Sequence, residues 1–193
     1  FDKVSFSYDG EKIILDKINL DFKKGKTYAM VGPTGGGKST MAALMCRLYD
    51  PDSGKIYFEG RDIRSYTGKE LSEEIGFILQ EQYIFSGSVG ENIVYGNPNY
   101  ETYDKKRLKK ELKEDGLEAL VERFENGLDT EITPDTEMIS LGQKQLISFM
   151  RAIMRKPKLL VMDEATANID TVTESLLQKI IDKLPAETTK VII

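Results

Sequence analysis

With 193 residues, 40% hydrophobic and 31% charged, the chain is long enough for one compact domain with a real core and has an ordinary globular make-up. Its net charge of −5 argues against a nucleic-acid binder, which would show a basic stripe, and a single cysteine excludes an internal disulfide framework. Histidine is absent, so histidine metal sites and histidine triads are excluded within this stretch. Cys46, with no histidine to activate it, reads as a small buried hydrophobe and fits a reducing compartment. No apolar run approaches the ~20 residues needed to span a bilayer.

The chain opens in strands. Val4, Phe6 and Tyr8 alternate with polar residues, and Ile13 to Phe22 carries Ile14, Ile18 and Leu20, with turn signals at Asp9-Gly10 and Lys24-Gly25. Thr27 to Val31 is a short apolar strand leading into the glycine cluster Gly32 to Gly37. From Lys38 to Tyr49, Met41, Leu44, Met45 and Leu48 recur at helical spacing, and Pro51, Ser53 and Gly54 end that helix. Lys55 to Glu59 reads as a strand turned by Gly60. Lys105 to Phe124 is helical, with Leu108, Leu112, Leu117, Leu120 and Val121 on one face and an interruption at Gly116. Its basic run from Lys105 to Lys110 reads as a solvated face, because Glu111, Glu114 and Asp115 follow at once. Gly142 to Arg155 is a helix with the stripe Leu146, Phe149, Met150 and Ile153, stopped before Pro157. Lys158 to Met162 is a buried strand, Thr171 to Leu184 a helix, and Lys190 onward a strand. Strands alternating with helices imply a parallel sheet with right-handed crossovers. Both ends fall within strand-like runs, so the expectation is a fragment of a longer protein, with any membrane part outside it.

Gly32-Pro33-Thr34-Gly35-Gly36-Gly37-Lys38-Ser39 fits the phosphate-binding P-loop at every fixed position, after a strand and before a helix. Glycines leave no side chains between backbone N–H groups and a polyphosphate, and the helix N-terminus adds its positive end. Lys38 can reach the terminal phosphates and the Ser39 hydroxyl can ligate Mg²⁺. Leu159-Leu160-Val161-Met162-Asp163-Glu164 is an apolar strand ending in two carboxylates at the sheet edge where α/β folds hold ligands. Asp163 would hold Mg²⁺, and Glu164 could polarise an attacking water as general base. By itself such a pair is a common loop start; beside a P-loop it carries weight.

Together these stretches resemble the ATP-binding cassette (ABC) ATPases of the exporter type, with motifs in the family's order over essentially the whole chain. Asp163-Glu164-Ala165-Thr166-Ala167-Asn168-Ile169-Asp170 resembles the Walker B motif running into the D-loop. Ile139-Ser140-Leu141-Gly142-Gln143 resembles the signature motif, and Gln80 after Ile75 to Leu79 matches the Q-loop glutamine. Tyr8 matches the aromatic that stacks on adenine, and Phe85 to Ile93 is similar to the segment after the Q-loop in exporters. Read as residues alone, Tyr8 is equally a strand aromatic, and Gln80 an ordinary exposed polar side chain. Ser140-x-x-Gln143 is also a capping box, and both readings can hold, because a capped helix N-terminus is an anion site.

The resemblance implies an α/β fold: a P-loop NTPase (RecA-like) core over 1–81 and 156–193, an N-terminal antiparallel β-subdomain, and an inserted helical subdomain over 82–155. It implies ATP and Mg²⁺, with Glu164, Lys38 and Gln80 in catalysis and Ser39, Gln80 and Asp163 at the metal. The nucleotide would be held by Tyr8, the loop from Gly32 through Lys38 and Ser39, Thr40, and the partner-facing Ser140, Gly142 and Gln143. It further implies a transmembrane partner, a second cassette bound head to tail, a place on the cytoplasmic face of the membrane, and no nucleic acid. The alternative is a soluble ABC-type ATPase acting on ribosomes or DNA. Three departures stand out: Leu141 replaces the family's glycine, Thr133-Pro134-Asp135-Thr136-Glu137 replaces a Gly-Glu-rich stretch, and the switch histidine would fall beyond Ile193.

Overall fold

The computed structural model describes residues 1–79, 82–133, 139–163 and 169–193. In chain order the elements are β1 (Asp2–Ser7), β2 (Ile13–Ile18), β3 (Thr27–Ala29), α1 (Lys38–Met45), β4 (Ser53–Lys55), β5 (Tyr57–Phe58), β6 (Arg61–Asp62), α2 (Gly68–Glu74) and β7 (Ile75–Ile78). There follow β8 (Gly87–Ser88), α3 (Val89–Val94), α4 (Lys105–Glu114), α5 (Glu118–Val121), β9 (Glu131–Ile132), α6 (Leu141–Ile153), β10 (Leu159–Met162), α7 (Thr171–Asp182) and β11 (Thr189–Ile192). The described residues form two compact units, one from 1–77, 158–163 and 187–193, the other from 78–157 and 169–186.

The first unit carries the sheet β3-β11-β10-β7, in which β3, β11 and β10 run parallel, as the strand–helix alternation predicts. A second, antiparallel sheet, β2-β1-β4, is the expected β-subdomain. Val4, Phe6 and Leu15 from that sheet join Met41, Leu44 and Met45 of α1, Ile56, Ile63, and Val161 and Val191 of the parallel sheet in one buried cluster. Every residue of α1 from Thr40 to Met45 is buried, so the helix is gripped on all sides and its N-terminus is fixed in place.

Several boundaries differ from the sequence reading. The helix after the glycine cluster stops at Met45, because Arg47 adopts a left-handed φ of 52° and spends its side chain on Asp50, Ile63 O and Tyr66 O. Leu48 is therefore exposed instead of continuing the stripe. The strand expected over 55–59 is divided: Ser53–Lys55 pairs with β1, whereas Tyr57–Phe58 folds back on Arg61–Asp62 as a tight hairpin.

In the second unit α4 and α5 are separate helices. Leu117 N bonds Leu112 O at 2.7 Å around Gly116, which closes α4, while Leu108, Leu112, Leu117 and Leu120 are all buried. The basic run on α4 is a solvated face, with Arg107 paired to Glu111 (2.8 Å) and Lys105 to Asp129. Helix α3 packs against α6.

Candidate functional site

The loop joining β3 to α1 is exposed from Val31 to Gly36, then dives at buried Gly37. Gly37 caps α1 with φ 81° and offers no side-chain cap. A Cβ there would stand 2.9 Å from Leu15 Cδ2 in a left-handed conformation that L side chains avoid, so only glycine lets the chain enter the helix here. One loop amide is paired, Gly36 N to Pro33 O at 3.1 Å. The amides of Gly35, Gly37, Lys38, Ser39 and Thr40 have no protein acceptor among the described residues. A helix start without a cap, with successive donors facing outward, is an anion cradle. Lys38 folds back across it, its Nζ donating to Gly32 O (2.9 Å) and Pro33 O (3.0 Å).

Asp163 is buried at the end of β10. The register sets Met162 level with Ile192 and Ile192 level with Ala29, and Met30 N and Ile193 N continue the ladder at 2.8 and 2.9 Å. Asp163 and the start of the glycine loop thus leave the same edge of one sheet, two strand spacings or about 10 Å apart. Ser39, exposed at the start of α1, offers a hydroxyl, and Asp163 a carboxylate. These are hard oxygen donors of the type Mg²⁺ takes.

Tyr8 extends from β1, half exposed, and its hydroxyl donates to Thr40 Oγ1 at 3.1 Å. Its ring is met edge-on by Phe6 (5.0 Å) and by Tyr49 (5.2 Å). Thr40, read as a nucleotide contact, is buried, so its amide and not its hydroxyl is the free group. Sequence reasoning missed Tyr49, which belongs to no motif; only the fold brings it beside Tyr8.

The signature stretch forms the capping box its spacing predicts. Ser140 Oγ accepts from Gln143 N (3.2 Å), and Ser140 N donates to Gln143 Oε1 (3.0 Å). Gln143 Nε2 also donates to Arg123 O at 2.8 Å. Arg123, Ser140, Gly142, Gln143, Asp170 and Thr173 line a cavity of about 420 Å³. Asp170 caps α7 by accepting from Thr173 N (3.0 Å) and Thr173 Oγ1 (2.6 Å), bonds that hold its carboxyl below the usual range. Leu141, the departure from the family pattern, is the first residue of α6, half exposed, with helical backbone that any L residue accepts.

Glu164 and Gln80, expected in catalysis, lie outside the described residues, as do Pro134 to Glu137 of the second departure and Ala165 to Asn168 of the stretch resembling the Walker B motif and D-loop. Cys46 packs against the core cluster, and burial pushes its thiol up, as fits an inert residue. No described helix is long and apolar enough to cross a membrane.

The ABC transporter family profile matches residues 15–167. An uncharacterised ABC transporter ATP-binding protein of Bacillus subtilis is 41% identical over the whole chain, which covers 32% of that protein. A fatty acid ABC transporter ATP-binding/permease protein of Mycobacterium tuberculosis is 39% identical, with 30% of its length covered. An ATP-dependent lipid A-core flippase of Vibrio parahaemolyticus is 38% identical over 98% of the chain and 32% of its own length. Among solved structures, a bacterial Atm1-family ABC exporter with ATP bound superposes with a TM-score of 0.87 at 32% identity, covering all of this chain and 34% of that one. The chain spans about a third of the length of the curated relatives it matches. With its P-loop, capped signature helix and Walker B strand in the family's order, the chain belongs to the ABC transporter family as an ATP-binding domain.

Proposed function

We propose that this domain is the ATP-hydrolysing motor of an ABC exporter, working on the cytoplasmic face of a membrane beside a transmembrane partner. The observation that carries it is the uncapped N-terminus of α1, whose free amides share a sheet edge with buried Asp163. ATP would lay its phosphates along Gly32, Pro33, Thr34, Gly35, Gly36, Gly37, Lys38, Ser39 and Thr40, with the base against Tyr8. Lys38 leaves the two carbonyls it bonds and turns to the terminal phosphates, a more rewarding charge-assisted contact. Ser39 and Asp163, with Gln80, would hold Mg²⁺, which when bound neutralises charge on the phosphates. Glu164 orients and deprotonates the attacking water, a contribution of about 10²–10⁴.

Two such domains would pair head to tail, the second copy or a related chain, so that Ser140, Gly142 and Gln143 of one meet the triphosphate held by the other. Closure on ATP and opening after hydrolysis would drive the membrane partner. The permease and flippase names of the relatives favour this exporter reading over a soluble ATPase acting on ribosomes or DNA. The test is equilibrium binding of MgATP, by fluorescent-analogue displacement, to wild type and Lys38→Met. Lys38 makes only exposed bonds, so the variant should fold normally and bind at least tenfold more weakly. Equal affinity would remove the basis of the proposal.

A further inference from the structure

Arg151 takes no part in the chemistry above. It stands in the last turn of α6, about 16 Å along the helix from Ser140. Its guanidinium donates from Nε to Asn92 O (2.7 Å), from Nη1 to Tyr83 O (2.9 Å) and from Nη2 to Asn92 Oδ1 (3.2 Å). Asn92 is buried, and it gathers the same segment: Phe85 N donates to its Oδ1 (2.9 Å), and its Nδ2 donates to Phe85 O (2.9 Å) and Ser88 O (3.0 Å). Above this knot the Phe85 and Tyr95 rings stack at 3.9 Å, with the guanidinium 5.5 and 5.8 Å from their centroids. One turn further on, Arg155 Nη2 donates to Tyr95 O at 2.9 Å.

Burial, and secondarily Arg155, lowers the Arg151 pKa to about 10, so at neutral pH a partly desolvated charge is retained where an apolar side chain would fill the same space. Apolar packing of α3 on α6 is non-directional and tolerates small slips along the helix axis. A planar fork fixed to three acceptors does not. Helices transmit axial displacement without loss, so a slip of about 1 Å at Arg151 is a slip of about 1 Å at Ser140, enough to cost about a hundredfold in a positioned reaction.

We propose that Arg151 is a positioning residue for the signature end of α6: its fork locks the helix to the Tyr83–Asn92 segment and thereby fixes where Ser140 and Gly142 point. The inference rests on the motor reading, and wild-type activity separates the two, since a wild type without ATP turnover would fail that reading first. The experiment is steady-state phosphate release by the complete transporter carrying Arg151→Lys or Arg151→Met, with Asn92→Ala as the second arm of a double-mutant cycle. Both Arg151 variants should lower kcat at least tenfold with the KM for ATP within twofold of wild type, because the nucleotide cradle is untouched. The double variant should be no worse than the poorer single one. Amide exchange in the wild type gives a variant-free check: Phe85 N–H should be strongly protected, and in Arg151→Lys it should exchange at least tenfold faster while α1 is unchanged. An Arg151→Lys enzyme within twofold of wild-type kcat, a loss carried by KM, or a rapidly exchanging Phe85 amide in the wild type each overturns the proposal.

Discussion

Ser140 has one observed role and one proposed role, which one substitution series can separate. Its hydroxyl caps α6 through Gln143 N, and in the proposed dimer the same helix end faces a triphosphate. Ser140→Ala removes the hydroxyl cap but leaves the reverse bond, because Ser140 N still donates to Gln143 Oε1. The loss is about 1 kcal/mol, or about 2–4 °C in Tm for a chain of this size. Ser140→Asp keeps a cap of equal quality and favours the positive end of the helix, so Tm should hold or rise slightly. It also places a carboxylate where a phosphate must come. Two unit charges about 5 Å apart at an effective dielectric of about 20 repel by about 3 kcal/mol, about two orders of magnitude in rate. Differential scanning calorimetry and phosphate release on the complete transporter would read the two quantities. A stable Ser140→Asp protein that hydrolyses ATP at the wild-type rate would refute the idea that α6 points at a phosphate.

Gly54→Ala should be severely destabilising. An added Cβ would lie 2.3 Å from Lys3 O and 2.5 Å from Asp2 O at a φ of 81°, forcing β4 away from β1, and a loss of about 3 kcal/mol or more is expected in denaturant titration. A loss under about 1 kcal/mol would mean that the β1–β4 pairing is dispensable. With no histidine in the chain, no histidine-driven loss of stability is expected between pH 8 and 6. Glu70 and Glu91 are held low by the N–H groups of Thr67 and Ser88, Asp170 by Thr173, and Asp62 is drawn to about 2 by Arg64. Folded-state values below the unfolded ones mean stabilisation that is complete above the ordinary carboxylate range and lost as pH falls from there toward about 2. Chemical denaturation midpoints across pH 2–6 would show this, and midpoints unchanged from pH 6 down to about 3 would contradict it.

What the sequence made legible was local. The P-loop glycines, the Ser140–Gln143 box and the break at Gly116 each depend on residues within a few positions of one another, so spacing alone announces them. The apolar stripes of α4 and α6 were readable because burial follows helical periodicity. Arg47 ended α1 early through bonds to carbonyls sixteen and nineteen residues away, a pull that no helix propensity reports. Tyr49 beside Tyr8 and Arg151 on Tyr83 and Asn92 are contacts between distant stretches, and a single arginine in an apolar helix face looks the same whether it is solvated or knotted into the fold. Leu141 was visible as a departure, but only its place at the start of α6 showed that the backbone tolerates it.

The central claim is that the domain turns ATP binding into a hydrolytic cycle through a carboxylate next to Asp163. Single-turnover and steady-state hydrolysis by Glu164→Gln in the complete transporter tests it most directly, with nucleotide occupancy measured on the same sample. The expected result is an ATP-loaded, dimeric protein with affinity close to wild type and turnover reduced by about 10²–10⁴. Hydrolysis at the wild-type rate with Gln at position 164 would contradict the account.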